Sequence, residues 1–106
     1  MPTPYLELFE HSGTPKATRR RIELLSDITQ VGRERGLEVE ITLEAANVSR
    51  RHAEIRKQNN SFVVVDLGSF NGTFLNGRRI AGAEVLSDSD VIQLGPGGPS
   101  LRFRRQ

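Results

Sequence analysis

The chain contains no cysteine, which excludes a disulfide framework, a thiolate metal site and a cysteine nucleophile. Histidine is nearly as scarce. His11 and His52 form no ligand cluster at a recognised spacing, so neither a metal nor another cofactor is expected. Apolar runs never approach the ~18 residues of a membrane span. The opening MPTPYLELFEH has no basic region followed by an apolar run, so it is not a secretory signal. These absences suit a reducing, cytoplasmic setting without membrane insertion. A strong charge of one sign is missing too. Arginine makes up most of the cations, but the acids nearly balance them and leave a net charge of +2. Aromatic side chains are few, most fall in strand-like patterns and only Phe70 looks exposed, which is poor material for the stacking platform of a nucleic-acid binder.

What the sequence does have is alternation. The 106 residues fit one domain, a single module over 1–106 that could equally be excised from, or N-terminal in, a longer protein. No helical stripe persists for three turns, whereas period-two patterns recur. Val39, Ile41 and Leu43 alternate with polar residues in VEITLE (39–44), and Leu101 and Phe103 do so in SLRFRR (100–105). SFVVVDL (61–67) is apolar on both faces and β-branched, which predicts a buried central strand. RIELLSD (21–27) and AEVLSDSDVIQLG (83–95) are weaker strand candidates. Between these runs lie turn signals. Lys57–Ser61 reads as a hairpin connection, and Asn76-Gly77 as a tight turn in which both residues tolerate positive φ. HSGTPKAT (11–18) and GPGGP (95–99) read as the first and last hairpin loops. Short strands with regular turns indicate an antiparallel sandwich or barrel, whose loops gather at two ends.

Two stretches crowd polar groups at strand edges, VSRRHAEI (48–55) and GSFNGTFLNG (68–77). Ser49 and His52 suggest a nucleophile with its base, but no orienting carboxylate or oxyanion loop accompanies them. Asp88 and Asp90 read as turn residues rather than metal ligands. An anionic peptide accounts for more of the residues. The arginines come in short groups, which suits a local pocket for one or two negative charges. Arg33 follows Gly32 at the end of a strand-like run, and its planar fork can give a phosphate two hydrogen bonds. Ser49 offers a short hydroxyl. Arg50 adds a cation or a backbone N–H. Asn71 carries both donor and acceptor, as reading a peptide main chain requires. Singly, each of these is usually a solvated charge, a local backbone partner or a turn. Their combination is what carries the reading.

That combination resembles the fork-head-associated (FHA) domain, a phosphothreonine-peptide-binding module. The matching motifs are Val31-Gly32-Arg33, Ser49-Arg50-Arg51-His52, Gly68-Ser69-Phe70-Asn71-Gly72-Thr73 and Leu75-Asn76-Gly77, in the family's order and spacing. The resemblance anchors roughly residues 20–95. It implies an eleven-stranded antiparallel β-sandwich of two twisted sheets, of the FHA/SMAD-like type. It implies a phosphate held by Arg33, Ser49 and Arg50, and a ligand main chain held by Asn71. Asn47 and Phe70 would stand at the ligand rim and set specificity. Gly32, His52 and Gly72 would support the loops. The implied partner is a phosphothreonine-containing protein, bound by a monomer without catalysis, nucleic acid or cofactor. The alternatives are a phosphate-independent interaction or self-association module on the same fold, and a nucleic-acid-binding β domain.

Overall fold

Apolar residues at alternate positions can be buried together only if the strands stack face to face, and the chain does this in two sheets. The computed structural model describes residues 3–11, 17–41 and 46–105, with the side chains of 10–19 left aside. Among the described residues eleven strands follow in chain order: β1 (Tyr5–His11), β2 (Ala17–Glu23), β3 (Ile28–Gly32), β4 (Val39–Glu40), β5 (Ala53–Gln58) and β6 (Ser61–Asp66). After them come β7 (Thr73–Leu75), β8 (Arg78–Arg79), β9 (Ala83–Val85), β10 (Val91–Leu94) and β11 (Ser100–Arg104). One sheet has the order β2-β1-β11-β10-β7-β8, the other β4-β3-β5-β6-β9. No helix occurs among the described residues. The expected eleven-stranded all-β sandwich is the observed fold.

The core lies between the sheets. Leu6, Leu8, Ile92, Leu94, Leu101 and Phe103 of the first sheet are fully buried, and Val31, Val39, Ala53, Ile55, Phe62 and Val64 face them from the second. Each of these side chains except Ala53 stabilises the fold by about 1.5–3 kcal/mol before the chain's ordering entropy is counted. The rings of Phe62 and Phe103 meet across the two layers at 5.5 Å with a 47° tilt. Val63 is buried as well, so β6 is apolar on both faces as its sequence predicts.

Pairing is antiparallel except between β3 and β4, which run parallel through Val31↔Val39 and Gly32↔Glu40. So short a connection returns the chain alongside β3 but leaves no length for a longer parallel pair. Of the expected strand over 39–44, Val39–Glu40 form β4, and residues 42–45 lie outside the described set. The 21–27 candidate ends at Glu23, because Leu24 turns into the core while Leu25 faces water. The 83–95 candidate divides into β9 and β10 around a turn in which Ser89 has φ 74°. There Asp90 accepts the Ser87 N–H at 2.7 Å, as a turn aspartate does. Asn76 and Gly77 have φ of 50° and 84°, the left-handed pair a two-residue hairpin needs. His11 closes β1 rather than lying in a loop, and residues 12–16 of the expected first loop lie outside the described residues.

Loops distant in sequence meet at one end of the sandwich. They are the segment after β3, the approach to β5, the β6–β7 loop and the β10–β11 loop. The Asn47 side-chain amide donates to the Pro96 carbonyl, and the Gly95 N–H donates to the Gly72 carbonyl at 3.0 Å.

Candidate functional site

The site begins with a backbone crossing. A Cβ on Gly32 would stand 2.0 Å from the Arg50 carbonyl oxygen and 2.7 Å from its carbon, closer than real atoms pack. Only glycine fits where the two segments cross. The crossing sets a ladder: Arg33 N–H donates to the Ser49 carbonyl at 3.1 Å, and Glu34 N–H to the Arg50 carbonyl at 3.0 Å. Arg33 Nε also donates to the Val48 carbonyl. The guanidinium is thus held at its neck while its terminal nitrogens make no hydrogen bond among the described residues. Arg51 turns aside to pair with Glu34 at 2.8 Å, whereas Arg50 is exposed and has no ion pair among the described residues.

His52 braces the next loop. It is fully buried. Its Nδ1 faces the Ser49 N–H at 3.1 Å and its Nε2 faces the Gly72 carbonyl at 2.8 Å. An amide N–H can only donate and a carbonyl can only accept, so the proton resides on Nε2. Burial pushes the His52 pKa below its ordinary value, against the raising influence of the Gly72 carbonyl and of Asp66. The ring is neutral, sealed from solvent and occupied at both nitrogens. It does not bond the Ser49 hydroxyl, so it is no base for a serine nucleophile. Instead Ser49 Oγ accepts the Phe70 N–H at 3.1 Å, which leaves its own proton to donate outward.

Asn71 closes the circle by donating to the Asn47 carbonyl at 3.3 Å. Phe70, beside it, is 88% exposed. The structure therefore brings Arg33, Asn47, Ser49 and Asn71 together through direct bonds, with Phe70 at their edge and His52 beneath. Gly72 has φ 88°, a conformation that favours glycine.

Two members of this assembly escaped sequence reasoning. Asp66 ends β6, where it looks like one more polar residue at a strand edge. Its carboxylate accepts the Ser69 hydroxyl at 2.5 Å, the Thr73 hydroxyl at 2.7 Å and the N–H groups of Gly68 and Ser69 at 3.1 and 3.2 Å. Burial alone would raise its pKa, but these donors together outweigh burial and pull it below the ordinary value. The Asp-x-Gly-Ser spacing is the signal that could have revealed this turn. The second is Gly95, with φ 81°, where a Cβ would come within 2.7 Å of Asn47 Cβ and 3.2 Å of Asn71 Cβ. Asp66→Ala is expected to cost about 2–3 kcal/mol, because it orphans a buried threonine hydroxyl and loosens the loop. Thermal unfolding should show a midpoint ~10–20 °C lower; an unchanged midpoint would remove Asp66 from this role.

The same crossing, ladder and asparagine turn lie within residues 29–95, over half of the chain, which match the FHA domain model. The chain belongs to the FHA domain family. It is 53% identical over 58 residues to the oxoglutarate dehydrogenase inhibitor of Corynebacterium diphtheriae, covering 55% of this chain and 40% of that protein. It is 47% identical over 68 residues to the glycogen accumulation regulator GarA of Mycobacterium tuberculosis, covering 64% of this chain and 40% of that protein. The FHA chain thus spans about two-fifths of the length of these relatives. Among solved structures, Mycobacterium tuberculosis EmbR in complex with a low-affinity phosphopeptide superposes with TM-score 0.74 at 28% identity. That match covers 94% of this chain and 24% of the EmbR chain.

Proposed function

We propose that this FHA domain binds phosphothreonine in an extended segment of a partner protein and performs no chemistry on it. The observation that carries this reading is the bonded convergence of Arg33, Ser49 and Asn71 at one rim. Arg33 and Ser49 supply the phosphate donors, and Arg50 adds a cation or its N–H. Asn71 holds the ligand main chain, Asn47 and Phe70 line the rim, and Gly32, His52 and Gly72 keep the loops in place. The EmbR complex with a phosphopeptide supports this ligand class, and the inhibitor and regulator relatives support a protein partner. The reading also takes the domain as a cytoplasmic monomer; no helix long and apolar enough to cross a membrane occurs among the described residues.

The magnitudes are adequate. A phosphate brings nearly two charges and three strong acceptors at neutral pH. Each charge-assisted hydrogen bond contributes about 1.5–3 kcal/mol net. Three of them approach the ~8 kcal/mol of a micromolar complex, and main-chain contacts offset the ordering of the peptide.

One titration series tests this. A peptide carrying phosphothreonine is expected to bind with micromolar affinity, and the same peptide with plain threonine or glutamate not detectably. Glutamate lacks the second charge and the third oxygen. Phosphoserine should bind roughly 10- to 200-fold more weakly, the effect of one methyl in a fitted pocket. Equal binding of phosphorylated and plain peptides would refute the function, and equal binding of phosphothreonine and phosphoserine would remove the methyl pocket.

A further inference from the structure

Several described arginines have a carboxylate beside them. Arg51 pairs with Glu34, Arg56 with Glu54, Arg78 with Glu84 and Arg104 with Asp88, at 2.5–3.4 Å. Arg79, like Arg35, Arg50 and Arg102, has none. It is exposed, and its side chain makes no ion pair or hydrogen bond among the described residues, although its neighbour Arg78 is paired.

Its position is nonetheless defined. Arg79 stands on β8 opposite Phe74 of β7. The hairpin joining them is fixed by the left-handed pair Asn76-Gly77 and by the Ile80 N–H to Thr73 carbonyl bond at 3.0 Å. Thr73 is in turn bonded to Asp66 at 2.7 Å. From this base the guanidinium lies along Gly72. Its Nε, Cζ and Nη2 are 2.8, 3.0 and 3.3 Å from where a Cβ on that glycine would be. Gly72 follows Asn71 directly, and consecutive Cα atoms are about 3.8 Å apart. A cation without a counter-charge among the described residues therefore stands about one residue from the side chain assigned to the ligand main chain. Coulomb attraction at such a half-exposed rim favours a carboxylate arriving on the ligand.

We propose that Arg79 is a specificity-determining residue, selecting phosphopeptides with an acidic side chain beside the segment held by Asn71. This rests on the phosphothreonine function proposed above. The ligand is then a phosphothreonine followed or preceded at short range by aspartate or glutamate, and Arg79 reads that second charge separately from the phosphate.

The test moves one glutamate through each of four positions on either side of phosphothreonine, in a peptide whose other residues there are glutamine. Wild type is expected to favour glutamate about three- to fivefold at one position in low salt, the range of an exposed ion pair. Arg79→Ala should abolish that preference and bind the all-glutamine phosphopeptide within twofold of wild type. Arg79→Lys should retain part of the preference, and Arg79→Glu should reverse it. Arginine acting only as a cover for Gly72 would alter all affinities alike and leave the preference intact, which would overturn the proposal. Equal affinity of wild type for every peptide in the series would do the same. Failure of wild type to distinguish phosphorylated from plain peptide is a separate result, and it would end the phosphothreonine function as well.

Discussion

Arg33→Ala is expected to reduce phosphopeptide affinity by about three orders of magnitude, to the edge of detection by calorimetry. Two charge-assisted bonds of about 1.5–3 kcal/mol each are lost, and 1.4 kcal/mol is tenfold in affinity. The fold should survive, because Arg33 is exposed and contributes one side-chain bond to the Val48 carbonyl. Arg33→Lys separates charge from geometry. It keeps a cation but loses both the planar fork and the neck that Nε fixes, so we expect it to bind roughly 10- to 100-fold more weakly than wild type. Wild-type affinity in Arg33→Ala, with unfolding unchanged, would remove Arg33 from the phosphate.

His52→Ala should act on stability instead. It leaves a cavity, strands the half-buried Ser49 N–H and leaves the Gly72 carbonyl with the Gly95 N–H alone. The combined cost is about 3–4 kcal/mol, a large part of the ~5–15 kcal/mol that holds a small domain together. Peptide binding should weaken in parallel, since Ser49 and Asn71 lose their common support. A variant that melts like wild type would show the histidine to be dispensable. The same geometry gives a pH dependence. In the folded state the His52 pKa lies below its ordinary 6.5, because burial disfavours the charged ring. As pH falls below 6.5 the unfolded chain takes up the proton first, so stability falls through the window between the unfolded and folded values. Protonation would also turn Nδ1 into a donor facing the Ser49 N–H. Unfolding measured without peptide isolates this effect, because phosphate itself titrates near pH 6.

The parts of the fold that were legible in the sequence are those governed by local chemistry. Alternation located β11, a β-branched run apolar on both faces located β6, and Asn76-Gly77 announced its turn, because side-chain pattern and positive φ are properties of a few neighbouring residues. The parallel pairing of β3 and β4 was not legible, since it depends on where a connecting loop returns. Leu24 and Leu25 look alike in sequence, and only the end of β2 sends one inward and the other to water. The site divides in the same way. Gly32, Ser49, His52 and Asn71 could be singled out because the family motif marks them. Asp66, Gly95 and Arg79 could not, because their importance comes from what they touch across gaps in the chain: a hydroxyl turn, a pair of asparagines and the bare face of a glycine.

The contact between the backbones at Gly32 and Arg50 has a consequence for how such a domain can change allegiance. Arg33 and Ser49 are clasped main chain to main chain, so the clasp depends on a bare Gly32 rather than on the side chains at the rim. On the proposed function the crossing aligns the phosphate-binding pair, whereas Phe70 and Arg79 stand exposed at the rim as interchangeable fittings. New partners are thus reachable by altering the fittings alone, and the clasp beneath them keeps its alignment.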